Sequence, residues 1–362
     1  MSDATTPAQA PVAPQYAAHD GDAARDRDAV LAAWRGNLGQ AARMAAKYDW
    51  FYLGAPAGMP VMQLLAHVGS DAPVGVCSAG RRRMLREGRE IRAGVLVDLA
   101  VTPEHRSLGP ALILQQGLFA AGRRELDQLY GFPNPKAAPV FKRIGYRKLG
   151  EMVRHARVVR HAPYVQRRAP TLPAPLADAL GAFFDLGTAL RDRLRFRGTG
   201  ALHATWCDHA PDIDALWSAS PKPAALTAIR DAAHLRWRFD DAPTDAALPP
   251  FRHLLLRDAR GDAAWFATRA ENATRTLHVH DAWTRDGGAT PSHAILLALL
   301  RAAHQAGFAV ISVELATNAE RLQPWRDLGF EARSRRPVFG TDFRDGADGD
   351  TDLHLTSADE DE

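Results

Sequence analysis

The chain has 362 residues, of which 46% are hydrophobic and 24% are charged, and its formal net charge is +3. This length suits two domains with a hydrophobic core each, and the composition is that of a soluble globular protein. No apolar run reaches the roughly 20 residues that a membrane helix needs, and the first residues lack the features of a secretory signal. We therefore expect a cytoplasmic protein without a membrane span.

The charge is distributed unevenly along the chain. Residues 340–362 hold nine acidic residues and one arginine, so the rest of the chain carries a net charge of +11. A basic body attracts anions, which include nucleic acids, nucleotide cofactors and anionic substrates. Because interleaved aromatic residues and recognition motifs are missing, we expect no nucleic-acid partner. Cys77 and Cys207 form no ligand-spaced cluster, and we expect no metal site.

The predicted elements alternate between strands and helices after a disordered segment at residues 1–28. In the first half they are a helix at Ala29–Ala46, strands at Val61–His67, Val74–Ser78 and Val95–Val101, a helix at Ala111–Arg124, a strand at Gln128–Phe132 and a helix at Ala137–Ile144. A connector with an amphipathic helix follows at residues 166–200. The second half gives strands at Arg252–Leu256, Ala264–Thr268 and Thr276–Ala282, a helix at Ser292–Ala306, a strand at Ala309–Leu315 and a helix at Arg321–Leu328. Residues 339–362 read as a disordered acidic tail.

Two blocks of sequence recur in the same order. The block "KYDWFYLGAPAG" from Lys47 resembles "HLRWRFDDAPTD" from His234, at an offset of 187 residues. The block "NPKAAPVFKRIGY" from Asn134 resembles "NAERLQPWRDLGF" from Asn318, at an offset of 184. We therefore expect one fold used twice, over residues 29–165 and 201–338. Strands followed by helix, strand and helix predict an α+β, three-layer fold with mixed central sheets flanked by helices.

The segment "LVDLAVTPEHRSLGPALILQQGL" predicts a strand, a short loop and a helix N-terminus. The free N–H groups and the dipole of a helix N-terminus form an anion site, to which Arg106 adds charge. Gly109 allows the backbone to approach a phosphate closely. Pro110 removes one donor, but we place it at the first helical position, where proline is favoured.

This segment resembles the GNAT acyltransferases, whose fourth strand leads into an Arg/Gln-x-x-Gly-x-Gly/Ala loop that holds the pyrophosphate of acyl-coenzyme A. The resemblance implies that acetyl-coenzyme A or another acyl-coenzyme A is the cofactor. The loop residues would be Arg106, Ser107, Leu108, Gly109, Pro110 and Ala111. The resemblance further implies an oxyanion donor at the backbone N–H near Val101, and Asn134 as a partner of the pantetheine arm. An Asn that turns a strand into a helix is an equally good account of Asn134.

One departure concerns the acid that protonates the departing thiolate. Many members of the family have a tyrosine at the position of Phe141, and a phenyl ring cannot supply a proton. The thiolate then leaves unassisted, or Tyr130 or Tyr146 serves instead. Asp98 is the only carboxylate in its apolar strand and is either a general base or water-positioning group, or a carboxylate bonded to backbone or an arginine. Arg81, Arg82, Arg83, Arg86, Arg89 and Arg92 form either a solvated hairpin or an anion clamp.

The second copy lacks the loop, because "RDGGATPS" from Arg285 stands in its place. We therefore predict a catalytic first half and a degenerate second half that shapes the substrate cleft. The predicted reaction is acyl transfer, most simply acetyl, to an amine of a small molecule or sugar by direct attack in a ternary complex. The alternatives are acyl or aminoacyl transfer to a cell-envelope or polysaccharide precursor, and a non-catalytic acyl-coenzyme A scaffold.

Overall fold

The computed structural model describes residues 15–38, 41–134, 137–169, 171–195, 202–244, 248–344 and 351–360. The first half contains β1 Tyr16–Gly21, α1 Arg27–Trp34, α2 Ala41–Tyr48, β2 Val61–His67, β3 Gly75–Arg86, β4 Arg89–Val101, α3 Leu108–Glu125, β5 Gln128–Gly131, α4 Ala138–Ile144 and β6 Arg147–Val158. The connector holds α5 Ala162–Arg168 and α6 Ala174–Arg195. The second half contains β7 His203–Cys207, α7 Asp214–Ala219, β8 Thr227–Ala228, α8 Ala232–Leu235, β9 Phe251–Asp258, β10 Gly261–Glu271, β11 Thr276–Thr284, α9 His293–Gln305, β12 Val310–Thr317, α10 Ala319–Asp327, β13 Glu331–Asp342 and β14 His354–Thr356.

The fold is a mixed α+β fold in which the strands form one large sheet rather than two separate ones. The main order is β1-β2-β3-β4-β5-β13-β6-β12-β11-β10-β9-β7. Strand β13 of the second half lies beside β5 of the first half, and β6 of the first half lies beside β12 of the second. The exchange joins the halves, because β13 and β6 also pair with each other at the centre of the sheet.

The two sequence blocks that recur occupy matching places. The first pair forms two π-helical turns, Asp49–Leu53 and Arg236–Asp240, which meet across the halves. The indole Nε1 of Trp50 donates to the carbonyl of Trp237 at 2.7 Å, and that of Trp237 donates to the carbonyl of Trp50 at 3.0 Å. Their rings stack with centroids 4.9 Å apart. The tryptophans are therefore core residues that bind one half to the other.

The second pair forms α4 and α10, each followed by a strand of the exchanged pair. Gly145 ends α4 with φ of +109°, and its N–H and that of Tyr146 donate to carbonyls of the last turn. Gly329 stands at the same place after α10 with φ of +79°. A left-handed residue ends a helix without the steric cost that a Cβ would bring, which explains the glycine in both copies.

Both predictions of terminal disorder are wrong for the residues that the structure describes. Within the predicted segment 1–28, β1 pairs with β2 along its whole length; residues 1–14 lie outside the described part. Within the predicted tail 339–362, β13 continues to Asp342 and β14 pairs with β12. Leu353, Leu355 and Ala358 are buried, so the tail contributes apolar surface to the core.

The acidic groups of that tail are held by arginines of the body. Glu360 pairs with Arg336, and Asp359 lies 3.8 Å from Arg230. The Arg230 guanidinium is fully buried and also donates to Asp281 at 2.8–3.0 Å. Burial raises the pKa of the Asp359 carboxyl, because the low-dielectric interior disfavours its charged form. These two acidic residues of the described tail therefore lie beside arginines of the second half.

Candidate functional site

The loop after β4 leads directly into the N-terminus of α3, as the sequence predicts. Residues Pro103–His105 form a short 3-10 turn, and Ser107 is the N-cap residue in an extended conformation. Leu108, Gly109 and Pro110 are the first three helical residues, so Pro110 is third and its predicted first position is wrong. Pro110 still costs the helix no hydrogen bond, because the first four N–H groups of a helix have no partner within the helix.

Gly109 has no explanation within the chain itself. Its φ is not positive, and a Cβ built on it would meet no atom within 4 Å. The glycines of the corresponding loop in the second half differ in both respects. A Cβ on Gly287 would lie 2.0 Å from the carbonyl oxygen of Thr290, and Gly288 has φ of +55°. Among the described residues, neither backbone conformation nor packing therefore requires a glycine at position 109.

The two corresponding helices also differ in their caps. Ser292 precedes α9, and its hydroxyl oxygen accepts from the N–H of Ile295 at 3.4 Å. Ser107 precedes α3 but its side chain makes no capping hydrogen bond. Among the described residues, the first turn of α3 therefore lacks the side-chain cap that α9 has.

Arg106 lies beside these donors. Its guanidinium donates to the side-chain oxygen of Asn37, which is a neutral partner. This contact orients Arg106 without cancelling its positive charge. His105, one residue before it, bonds through Nδ1 to the hydroxyl of Tyr16 at 3.0 Å, so β1 fixes the outer side of the loop.

Strands β4 and β5 separate just before this loop. Their parallel pairing covers Ala93–Val95 against Gln128–Tyr130 and stops there. A β-bulge then follows in β4, because Val76 pairs with Ala100 whereas Ser78 pairs with Val97. Asp98 lies at this bulge with φ of +52°. A bulge bends its strand, and the unpaired stretch beyond the last pair of β4 with β5, here called the β4–β5 cleft, begins at this bulge.

The backbone N–H of Val101 faces this cleft. The next residue, Thr102, donates its N–H to the carbonyl of Val74, which immediately precedes β3, at 2.8 Å. Successive N–H groups of a strand alternate between its two edges. The N–H of Val101 therefore points away from β3, into the gap between β4 and β5, although its side chain is buried.

In the second half the corresponding cleft is filled by the chain itself. Strands β11 and β12 pair in parallel only as far as Val279 and Val313. Beyond that point β14 pairs with β12 at residues 315–317. At an offset of 184 these residues correspond to 131–133, which in the first half continue β5 past its last pair with β4. The C-terminal segment thus pairs with β12 at a place where, among the described residues, no strand is paired with the corresponding edge of β5.

Asp98 is anchored by two residues that the sequence analysis did not single out for chemistry. Its Oδ1 accepts from Lys47 Nζ at 2.9 Å, and its Oδ2 accepts from the Tyr52 hydroxyl at 2.9 Å. The Asp98 side chain is 2% exposed, and burial raises the pKa of Tyr52 well above its usual value. A comparison of the two copies distinguishes these positions, because the second copy has His234 in place of Lys47 and Phe239 in place of Tyr52.

The remaining candidates take structural positions. Asn134 accepts the N–H of Ala137 at 2.9 Å through its side-chain oxygen, which is the turn-forming alternative. Phe141 is buried in the core, 5.1 Å from the ring of Tyr146 and 6.1 Å from that of Phe339. Neither residue presents an acidic group to the cleft.

The two tyrosines considered as proton donors are both buried. The Tyr130 hydroxyl donates to the carbonyl of Asp359 at 2.9 Å, and Tyr130 is the last residue of β5 paired with β4. The Tyr146 hydroxyl has no hydrogen-bond partner among the described residues. Burial raises the pKa of both hydroxyls, because it disfavours the phenolate.

The arginine cluster lies on β3 and β4; Arg89 is exposed, and four of the six members form ion pairs within the chain. These pairs are Arg81 with Glu125, Arg83 with Glu90 and Asp231, Arg86 with Asp342, and Arg92 with Asp127. Arg82 is buried over the rings of Phe51 and Trp237. The cluster is therefore neither a simple solvated hairpin nor a set of uncommitted cations.

The described residues contain neither a metal-binding cluster nor a membrane-spanning helix. No group of three or more histidine, cysteine or acidic side chains among them is placed to hold a metal ion. Within the same ranges, every helix is too short or too polar to cross a membrane.

Comparisons with known proteins give structural likeness at low sequence identity. No family model matches the chain, and no curated protein matches its sequence. A conserved protein of unknown function from Enterococcus faecalis V583, described as a probable N-acyltransferase, superposes with a TM-score of 0.60 at 11% identity, over 91% of this chain and 73% of that one. A GCN5-related N-acetyltransferase from Anabaena variabilis ATCC 29413 gives 0.59 at 10% identity over the same shares, and one from Kribbella flavida gives 0.56 at 15% identity over 90% and 70%. The chain therefore has the fold of the GCN5-related N-acetyltransferases over about nine tenths of its length.

Proposed function

We propose that the protein is an acyl-coenzyme A-dependent N-acyltransferase whose first half binds the cofactor and whose second half is a degenerate copy of the same fold. One observation carries this proposal. In the first half a helix N-terminus without a side-chain cap follows the strand β4, whose pairing with β5 ends at Val95, whereas a serine cap and β14 occupy the corresponding places in the second half.

The loop of the first half fits a pyrophosphate by its donors and its charge. The N–H groups of Leu108, Gly109 and Ala111 lie in the first turn of α3, where the helix dipole favours an anion. Arg106 supplies a cation beside them, and Gly109 leaves space for close approach. We assign Ser107 and Pro110 to the same cradle as residues that shape it.

The cleft between β4 and β5 fits the extended, amide-containing arm of coenzyme A. Backbone groups that follow the last pair of β5 with β4 are placed to bond such an arm as a neighbouring strand would. In the second half β14 makes this type of contact with β12, which supports the proposal that the corresponding edge of β5 takes an extended segment. Asn134 stands at the end of this edge, but its side-chain oxygen is used by Ala137.

The chemistry that the cofactor supplies is an activated thioester. In the reaction an amine nitrogen attacks the thioester carbonyl carbon, a C–N bond forms, the C–S bond breaks, and the thiolate leaves and takes up a proton. The Val101 N–H points into the cleft and would donate to the carbonyl oxygen as it gains charge. Direct attack is favoured over a covalent acyl-enzyme, because Cys77 is buried and burial raises the pKa of its thiol.

In this proposal Asp98 positions other groups and does not take the proton of the amine directly. Both of its oxygens accept hydrogen bonds, from Lys47 and Tyr52, so a proton taken from the amine would reach it through one of these neighbours or a bound water. The β4–β5 cleft also begins at the bulge at Asp98, which links this residue to the cofactor. Phe141 supplies no proton, and of the two tyrosines Tyr130 is the one that lies on β5, where its buried hydroxyl donates to the carbonyl of Asp359.

Calorimetry with coenzyme A and acetyl-coenzyme A, followed by thiol release across a panel of amines, tests the proposal. We expect one cofactor molecule per chain and thiol release that depends on an added amine. No binding of either compound would refute the proposal. Binding without thiol release for any amine would favour the non-catalytic scaffold over the enzyme.

A further inference from the structure

The connector helix α6 exposes a continuous apolar stripe. Its members recur at alternating spacings of four and three residues, which is the pattern of a coiled-coil seam. They lie within about 80° of one another around a helix of 100° per residue. They are Leu176 (54% exposed), Leu180 (44%), Phe183 (71%), Gly187, Leu190 (53%) and Leu194 (50%).

The stripe is not the face by which α6 is attached to the rest of the chain. Ala177 is fully buried, and a Cβ on Gly181 would lie 2.4 Å from the backbone N of Ala162 in α5. Asp185 accepts from the backbone N–H of His161 at 2.9 Å and bonds to its ring Nδ1 at 2.7 Å. These contacts fix the orientation of α6 and leave the stripe on its outer side.

Gly187 is the unusual member of the stripe. Glycine inside a helix is less favourable than alanine by about 0.5–1 kcal/mol, and intramolecular packing explains many such glycines. Among the described residues, a Cβ at Gly187 would meet nothing within 4 Å, and its φ is not positive. Neither backbone conformation nor packing within the described part of the chain accounts for it.

We propose that α6 pairs with α6 of a second copy of this chain in an antiparallel arrangement. The two-fold axis crosses the stripe at the level of residue 185 along the helix. In this register residue i faces residue 370 − i, so the stripe meets itself: Leu176 faces Leu194, Leu180 faces Leu190, and Phe183 faces Gly187. The large ring of each copy then fills the space above the glycine of the other, twice per interface. A two-fold interface needs this kind of self-complementary patch.

A parallel pair would fit less well. It would set Phe183 against Phe183 and leave a gap where Gly187 met Gly187, since equal positions face each other in that arrangement. The sequence charges agree with the antiparallel pair. Residues 174–185 contain two aspartates and no basic residue, whereas residues 186–195 contain three arginines and one aspartate. Antiparallel pairing sets the acidic part of each helix beside the basic part of the other.

Sedimentation equilibrium of the full chain across the micromolar range tests the proposal. We expect a reversible monomer–dimer equilibrium between 39.4 kDa and twice that mass. Phe183→Ser should weaken the dimer by at least about tenfold in Kd, whereas Val68→Ser, at an equally exposed position outside α6, should leave it unchanged. A chain that stays monomeric throughout, or a dimer unaffected by Phe183→Ser, would overturn the proposal and leave the stripe to a different partner.

Exchanging the residues at positions 183 and 187, which keeps the composition constant, distinguishes specific pairing from nonspecific hydrophobic association. Gly187→Phe adds apolar surface, so unspecific association would increase, but the proposed register predicts its loss because two rings then collide. Combining Gly187→Phe with Phe183→Gly should restore the dimer, since the large and small positions merely change places. Stronger association of Gly187→Phe alone, or failure of the double variant to dimerise while its circular dichroism remains native, would contradict the register.

Discussion

Replacing Gly109 should change stability and cofactor affinity in opposite directions. A Cβ at this position meets open space, so Gly109→Glu introduces no clash within the chain. Removing a helical glycine stabilises by up to about 1 kcal/mol, and a carboxylate in the first turn adds about 0.3–1 kcal/mol. We therefore expect the unfolding midpoint to stay constant or rise.

The same change should greatly weaken the binding of coenzyme A. The new carboxylate repels the pyrophosphate and displaces it from about two N–H donors, each worth about 1.5–3 kcal/mol toward a charged acceptor. The sum of about 3–6 kcal/mol corresponds to a loss of roughly 10²- to 10⁴-fold in Kd. Isothermal titration calorimetry measures the affinity, and thermal unfolding followed by circular dichroism measures the stability.

A matched control lies in the second half. Ala294 is the second residue of α9, as Gly109 is of α3, so Ala294→Glu places the same charge at the corresponding helix position. This variant should bind coenzyme A with unchanged affinity. Unchanged affinity in Gly109→Glu, or equal losses in both variants, would refute the assignment of the phosphate cradle to α3.

Three further predictions follow from the site and its surroundings. Ser292→Ala should lower the free energy of unfolding by about 0.5–2 kcal/mol because it removes a cap, whereas Ser107→Ala should not, as denaturant titration would measure. Asp98→Asn should lower turnover by at least about tenfold with little change in cofactor affinity; unchanged turnover would leave Asp98 purely structural. Burial lowers the pKa of His253 to about 4. Between about pH 6.5 and pH 4 its imidazole is therefore neutral in the folded state but protonated in the unfolded state. Stability should therefore fall between about pH 6.5 and 4, by an amount of the order of 3 kcal/mol from this group, and His253→Gln should flatten that fall.

The sequence predicted many of the helices and strands because apolar strands followed by glycine-ended helices mark them. The nearly equal offsets of two blocks, 187 and 184 residues, predict that one fold is used twice. The residues that end α4 and α10 illustrate this, since Gly145 and Gly329 both have positive φ at corresponding places. Local chemistry of this kind is independent of the tertiary context.

The exchanged strands were missed for a physical reason. β6 and β13 carry many charged residues, and both lie between other strands at the centre of the sheet. Their charges are satisfied by ion pairs along and across the sheet, such as Arg336 with Glu314. A pattern of alternating apolar residues therefore does not mark them, and the joining of the two halves was invisible in the sequence.

The composition of the terminal segments predicts disorder, although their described residues form strands. The segment "DLHLTSADE" is acidic, but Leu353 and Leu355 alternate in it and are buried. Its acidic end becomes compatible with burial only beside Arg230 and Arg336, which come from distant parts of the chain. The pairing of Asp98 with Lys47 was unpredictable for the same reason, since 51 residues separate the two side chains.

A crystal structure of the protein with coenzyme A tests the central claim most directly. The account predicts one molecule per chain, with its pyrophosphate on the first-turn N–H groups of α3 and its extended arm between β4 and β5. It also predicts that β14 remains beside β12, so that the second half binds none. A molecule bound at α9, or one bound away from Gly109, would contradict the account.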